Sequence, residues 1–252
     1  MVKKILIVVA THGDEKIGTE VAIILKKRGY GKYFDCLIAN PKALKQNKRF
    51  VDFDLNRAYP GAKRSVLYEK EIAYKNLQKA KKYPYTIDIH EASAGKDDFI
   101  IIPRDKISSD FPLKFIDLRR VLLWPVPKGP LSQFLKSAVE LEFGMKGRCR
   151  RRVVLKAARV IERFIKKVLS EKSSNISEKE FFYVYSRLLL SEAKRKNCNF
   201  GKLRDFKMAK VAGGRFYPLL VGQYLKEGII CYKMKKINKD SIPQFLGDAD
   251  GD

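Results

Sequence analysis

Residues 5–9, Ile-Leu-Ile-Val-Val, form an unbroken apolar run, and the chain turns polar at once in Thr11-His12-Gly13-Asp14-Glu15. A run of this kind suits the central strand of a parallel sheet, which is covered on both faces. Residues 86–90 repeat the pattern and end on His90, and residues 138–144 alternate and carry Glu142. Further strands are predicted at 34–39 and 98–102. Residues 121–124 are apolar but followed by Pro125, Pro127 and Pro130, which predicts a short or edge strand. Helices are predicted over 18–28, with Val21, Ile24 and Leu25 on one face and Gly31 as the stop, and over 65–82, with Ser65 as N-cap. A third, over 153–169, lines up Ala157, Val160, Ile161, Phe164, Ile165 and Val168. Residues 40–57 read as a long polar loop.

This alternation predicts an α/β fold: a mixed, mostly parallel sheet flanked by helices. The rhythm stops at residues 170–177, which are polar, lack periodicity and read as a linker. Beyond them, 180–190, 216–221 and 228–234 look like strands separated by glycine-containing turns. The expected organisation is therefore an α/β domain over 1–172, a small β-rich domain over 177–246 and a disordered tail over 247–252.

Composition adjusts this picture little. A chain of 252 residues with 45% hydrophobic content can bury a substantial core. Its 53 Lys and Arg against 28 Asp and Glu give a net charge of +25. The densest basic cluster is Lys146, Arg148, Arg150, Arg151 and Arg152. The rest are spread over predicted helix faces, as in the Lys-rich surfaces of thermophile proteins. Attraction of a small anionic substrate is the expected use of the charge, and no specific nucleic acid is expected. No apolar run reaches the length of a membrane span. Met1-Val2-Lys3-Lys4 leads straight into the first strand, so no signal peptide is expected and the cytoplasm is the expected location. Cys36, Cys149, Cys198 and Cys231 are scattered and read as reduced thiols.

The chain has two histidines, and both fall at the ends of predicted strands, where open α/β sheets bind ligands. His12 and Glu15 are spaced His-x-x-Glu, with Gly13 letting the backbone turn between them. Two imidazoles and a carboxylate make a three-ligand zinc site with a fourth position open to water. A lone strand-end histidine is more often a satisfied polar residue, so both readings stand on the residues alone.

Several motifs in order settle the preference. They are Thr11-His12-Gly13-Asp14-Glu15 with Gly18, Asn40-Pro41, Arg49, Asp54-Leu55-Asn56-Arg57, Asp88-Ile89-His90 and Glu140-Leu141-Glu142-Phe143-Gly144, with a weaker Tyr217-Pro218-Leu219-Leu220-Val221-Gly222. Together they resemble the succinylglutamate desuccinylase/aspartoacylase family, deacylases of zinc carboxypeptidase-like fold. The resemblance implies one Zn2+ per chain on His12, Glu15 and His90, with Glu142 as general base and acid. It implies Arg49 at the scissile carbonyl, Asn56 and Arg57 on a substrate carboxylate, Asp54 behind a zinc-bound imidazole, and Tyr224 near the leaving group. It further implies that the C-terminal domain covers the site entrance and that the substrate is a small N-acyl amino acid. A homo-oligomer is compatible with the sequence.

One departure stands out. Aspartoacylase-like members carry a further arginine upstream of the catalytic glutamate, for a side-chain carboxylate. Here that neighbourhood is 131–136, where only Lys136, or Lys128 before it, can substitute. The alternative activity is that of a metallocarboxypeptidase acting on peptide C-termini. A basic nucleic-acid-binding protein without catalysis is the reading from another class.

Overall fold

The computed structural model describes residues 5–103, 112–125, 129–145, 147–172, 178–195, 200–211 and 214–238. The first two strands, β1 (Ile5–Val9) and β2 (Phe34–Ile38), flank helix α1 (Ile17–Lys27) in sequence. Helices α2 (Pro41–Gln46) and α3 (Tyr68–Ala80) precede β3 (Tyr85–Ala92), β4 (Phe99–Pro103), β5 (Arg120–Trp124) and β6 (Ala138–Gly144). The long helix α4 (Arg150–Ser170) leads to β7 (Glu180–Leu189) and the short helix α5 (Leu190–Arg195). Strands β8 (Ala209–Val211), β9 (Gly214–Leu219) and β10 (Ile229–Ile237) complete the described chain.

All ten strands share one sheet in the order β2-β1-β3-β6-β4-β5-β7-β10-β9-β8. The ladders from β2 through β6 are parallel, as are those joining β4, β5 and β7. β4 runs antiparallel to β6, and the β7-β10-β9-β8 ladders are antiparallel. The mixed, mostly parallel sheet expected from the sequence is the one found, and the β-rich C-terminal part adds its strands to the far edge.

β1 shows why the fold forms. All five of its residues are fully buried. Ile5, Ile7 and Val9 pack toward α1 and α4, with Ile87, Ile89, Val139, Leu141 and Phe143 on the same face. Leu6 and Val8 pack on the other face with Ala73, Leu77 and Ala80 of α3. With a side-chain period of two, the even-numbered residues of β3 and β6 therefore look to the α3 side. There Asp88, His90, Glu140 and Glu142 stand where apolar residues would otherwise be.

Three local expectations need correction. Residues 121–124 belong to β5, an interior strand between β4 and β7. Pro125 follows the last rung, Pro103 opposite Trp124, so no ladder hydrogen bond is lost. The loop 40–57 contains α2, whose start is marked by Asn40 accepting a hydrogen bond from Ala43 N and by Pro41 in the first turn. α1 ends at Lys27, and Gly29 at φ 84°, not Gly31, takes the left-handed turn after it. Residues 173–177 of the expected linker, the tail 247–252 and Cys198 lie outside the described residues. Cys36 and Cys149 are free thiols, and Cys231 is buried. No described helix is long and apolar enough to cross a membrane.

Candidate active site

The turn after β1 carries the first two site residues. Ala10 sits at φ 54°, in the left-handed region that costs a non-glycine residue about 1 kcal/mol or more. Gly13 lies so close to α2 that a Cβ there would be 2.1 Å from the carbonyl carbon of Ala43. Its N–H donates to the Arg49 carbonyl at 3.2 Å. Only glycine allows this approach, and the approach locks the His12 turn against the segment that carries Arg49. His90 is the sixth residue of β3, which runs on to Ala92, so this histidine lies inside its strand and not at its end. His12 lies three residues past the end of β1.

The two imidazoles meet over one carboxylate. His12 Nδ1 is 2.7 Å from Glu15 Oε1, and His90 Nδ1 is 3.0 Å from Glu15 Oε2. The ring centroids are 5.2 Å apart, and the ligand atoms of the three residues lie within 4.8 Å of one another. All three side chains are buried. The far nitrogens face carboxylates too. His12 Nε2 is 3.2 Å from Asp54 Oδ1, and His90 Nε2 is 3.3 Å from Asp88 Oδ2 but not aligned for a hydrogen bond, which leaves it without a partner. Thr11 Oγ1 holds Asp88 from 2.9 and 3.0 Å.

The electrostatics favour positive charge at this point. Burial works against a charged His12, but Glu15 and Asp54 outweigh it and raise its pKa to about 9. Burial likewise opposes charge on His90, which Asp88 and Glu15 nevertheless raise well above the usual histidine value. Burial would raise Glu15 and Asp54, yet His12 with His90, and His12 with Arg49, hold them below the usual carboxylate range. A divalent cation meets the same demand. Two imidazole nitrogens and a carboxylate are a zinc-type donor set. Asp54 on the outer nitrogen of His12 orients a metal-binding histidine in the usual way, and Asp88 stands 3.3 Å from the outer nitrogen of His90. The residues present therefore fit a metal ion.

The register of β3 and β6 sets a second feature. Asp88 is opposite Glu140 and His90 is opposite Glu142. Burial raises Glu142 to about 7, against His90 and with Glu15 and Glu140 nearby. Glu140 is buried and accepts hydrogen bonds from Ser132 Oγ at 2.6 Å and Asn56 Nδ2 at 3.3 Å. The amide nitrogen of Asn56 is thus already engaged.

The segment 49–57 supplies the guanidiniums. Arg49 donates to Asp54 Oδ2 at 3.3 and 3.1 Å through Nε and Nη2, and its Nη1 lies 3.7 Å from Glu15. Asp54 also accepts from Asn56 N and so starts the helical turn at 55–57. Arg57 is exposed and bonds to the Asn56 carbonyl at 2.9 Å. Behind the segment, fully buried Glu69 accepts from Val51 N, Asp52 N, Phe53 N and Asn40 Nδ2 at 2.7–3.1 Å. Four donors on one carboxylate fix the path of the chain between Arg49 and Asp54.

His12, Glu15, Arg49, Asn56, Arg57, Glu142 and Tyr224 line one pocket of about 660 Å³, its open mouth included. His90 and Asp54 stand behind its wall. Lys136 is exposed and does not line the pocket, and Lys128 lies outside the described residues. Sequence reasoning placed Asp88 and Glu140 inside motifs without giving them a role, and it did not nominate Glu69. The first two were signalled by their places two residues before His90 and Glu142 on the same strand face. Nothing local signals Glu69.

Known proteins agree with this architecture. The succinylglutamate desuccinylase/aspartoacylase catalytic domain matches residues 1–115. A probable aspartoacylase of Acaryochloris marina (strain MBIC 11017) is 27% identical over 120 residues, 41% of this chain and 40% of that protein, so the match spans less than half of the relative's length. The solved succinylglutamate desuccinylase of Chromobacterium violaceum has a TM-score of 0.70 at 19% identity, over 94% of this chain and 85% of its own. Murine aminoacylase 3 has a TM-score of 0.65 at 16% identity, over 94% and 96%. At such identities the structural likeness shows the fold. The resemblance carried by the motifs is thus borne out: residues 1–115 match the catalytic domain of the succinylglutamate desuccinylase/aspartoacylase family, and the chain has the fold of succinylglutamate desuccinylase and aminoacylase 3.

Proposed function

We propose that the protein hydrolyses the amide bond of a small N-acyl amino acid, releasing a carboxylic acid and a free amino acid, with one zinc ion held by His12, Glu15 and His90. The observation that carries this reading is the pair of Nδ1 atoms on either side of the Glu15 carboxylate, with Glu142 facing the same pocket. When bound, zinc supplies a Lewis acid and lowers the pKa of water toward neutrality. Glu142, with a carboxyl near neutral pKa, takes the proton of the attacking water and delivers it to the leaving nitrogen. Arg49, held in place by Asp54, donates N–H to the scissile carbonyl oxygen and to the charge that develops there. Arg57 receives the substrate carboxylate in its planar fork, beside Asn56. Tyr224, pushed up by burial with Glu142 nearby, stays protonated and offers O–H near the departing amine. A peptide C-terminus would present the same carboxylate and amide. The turn carrying Leu220, Gln223 and Tyr224 lines the pocket and favours a small substrate over a long one.

The test is zinc stoichiometry together with hydrolysis of N-acyl amino acids by the zinc-loaded protein. One zinc per chain is expected, lost in the double substitution His12→Ala and His90→Ala. Full zinc occupancy in that variant would overturn the ligand assignment.

A further inference from the structure

Among the described residues, six apolar or aromatic side chains line the pocket beside its polar groups. Ile101 of β4, Trp124 of β5, Leu220 and Tyr224 belong to one apolar cluster, and with Pro103 and Pro130 they form an apolar wall of the pocket. Parallel pairing ends β4 and β5 together, with Pro103 opposite Trp124. The Trp124 ring stands edge-on to Tyr232 at 4.7 Å, and Tyr232 stands edge-on to Tyr224 at 5.9 Å. Leu220, at φ 54°, turns the chain into the wall just after β9.

The charges in the pocket are unevenly committed. Among the described residues its guanidiniums are Arg49 and Arg57. Arg49 is bound to Asp54 and lies beside Glu15, whereas Arg57 bonds, among the described residues, to a backbone carbonyl. The other ionisable lining groups are His12, Tyr224 and the carboxylates Glu15, Glu91, Glu140 and Glu142. A ligand with one carboxylate finds Arg57. Among the described lining groups a second carboxylate would face acids and apolar side chains, and burying it against them without a partner is unfavourable.

We infer that the substrate class is an N-acyl amino acid with a single carboxylate and an apolar or aromatic side chain, and that Trp124 is the specificity-determining residue. The inference rests on the deacylase reading for the place of the scissile amide. With the carboxylate at Arg57, the adjacent carbon carries the side chain. Arg57 packs against Gly129, where a Cβ would lie 2.9 Å from its Cα, and Pro130 of the wall follows. The side chain therefore reaches the wall formed by Pro130, Trp124 and Tyr224. Acidic side chains and succinyl groups, which carry a second carboxylate, are disfavoured.

The chain contains one tryptophan, so Trp124 fluorescence reports the wall without reference to turnover. The zinc-loaded protein is assayed with N-acetyl-L-phenylalanine, N-acetyl-L-leucine, N-acetyl-L-aspartate and N-succinyl-L-glutamate, and N-acetyl-L-leucine is titrated against the fluorescence. Expected are a saturable fluorescence change and a kcat/KM about 100-fold higher for the two apolar substrates. Trp124→Arg should narrow that preference at least about tenfold toward N-acetyl-L-aspartate, since it places a cation in the wall. Faster hydrolysis of the two-carboxylate substrates overturns the inference and leaves the deacylase reading standing. No hydrolysis, but saturable fluorescence with N-acetyl-L-leucine and none with N-acetyl-L-aspartate, overturns the reaction and keeps the recognition. Neither hydrolysis nor fluorescence change overturns both.

Discussion

The two sides of the pocket are built on different principles. The polar floor comes from β1, β3 and β6, three parallel neighbours whose register is fixed by fully buried residues. Each floor group is held by another: Thr11 on Asp88, Asp54 on His12, Ser132 on Glu140, Glu69 on the chain from 51 to 53. The apolar wall comes from the ends of β4 and β5 and from a turn after β9, and its aromatic residues are fixed by edge contacts. A floor held this way keeps reacting groups in place, which catalysis requires. A wall of van der Waals contacts can change side chains at modest cost. The family match over residues 1–115 does not divide the two sides: it takes in Ile101 and Pro103 of the wall and ends before Glu140 and Glu142 of the floor. The comparison teaches that chemistry and selectivity can vary separately in this fold.

The largest way to break the floor is Glu142→Gln. It keeps size and polarity but removes the proton carrier. Turnover should fall by roughly two to four orders of magnitude while zinc content and melting temperature stay near the wild type. The wild-type rate should carry its own signature. Burial raises the Glu142 carboxyl to about 7, a bound cation in the same pocket lowers it again, and a general base must be ionised, so kcat/KM should rise with pH along a limb that lies below about 7 in the zinc-loaded enzyme. That limb should vanish from the residual activity of the variant. Wild-type turnover in Glu142→Gln would mean another group moves the proton.

The same contrast explains what the sequence revealed. His12, Glu15, His90 and Glu142 were legible because apolar runs break into polar residues at those points, and the chain has only two histidines. Strand periodicity then puts Glu142 on the His90 face. The wall was not legible. Ile101, Trp124 and Leu220 look like ordinary core residues, and only the order of strands in the sheet brings them to one pocket. The prolines after Trp124 suggested an edge, because a proline signals a missing donor without saying whether it falls inside the ladder. Glu69 was hidden for another reason. Its partners at 51–53 are 16 to 18 residues away and are backbone N–H groups, which leave no trace in side-chain pattern.

Where floor meets wall, Arg57 is the hinge of the comparison. It binds the carboxylate whose neighbouring carbon addresses the wall. Arg57 is exposed, so Arg57→Ala should weaken substrate binding by about 1.5 kcal/mol, the low end for a hydrogen bond to a charged group. Arg57→Lys should recover only part, since a point charge replaces a fork. The loss should appear chiefly in KM. Equal cleavage of acyl amino acid amides that lack the carboxylate would refute this role.

The smallest effect tests whether the floor is as fixed as its hydrogen bonds imply. Glu69 touches none of the pocket residues, yet its two oxygens receive four donors, three of them from the backbone between Arg49 and Asp54. Glu69→Gln leaves one acceptor oxygen and turns an amide donor toward two N–H groups. Hydrogen bonds to a charged acceptor contribute about 1.5–3 kcal/mol each, and relaxation of the segment should limit the loss in stability to about the lower figure. The consequence for function should be selective. Arg49 and Asp54 flank the loosened segment, so kcat should fall while KM, set by Arg57, changes less. Hydrogen exchange should locate the cause: amides 51–53 should exchange faster while those of β1 and β3 stay protected. Glu69→Asp, shorter by one methylene, should restore charge but not reach, and should recover kcat only in part. If amides 51–53 remain protected in Glu69→Gln and kcat is unchanged, the segment is held by other contacts and Glu69 serves only to cap α3.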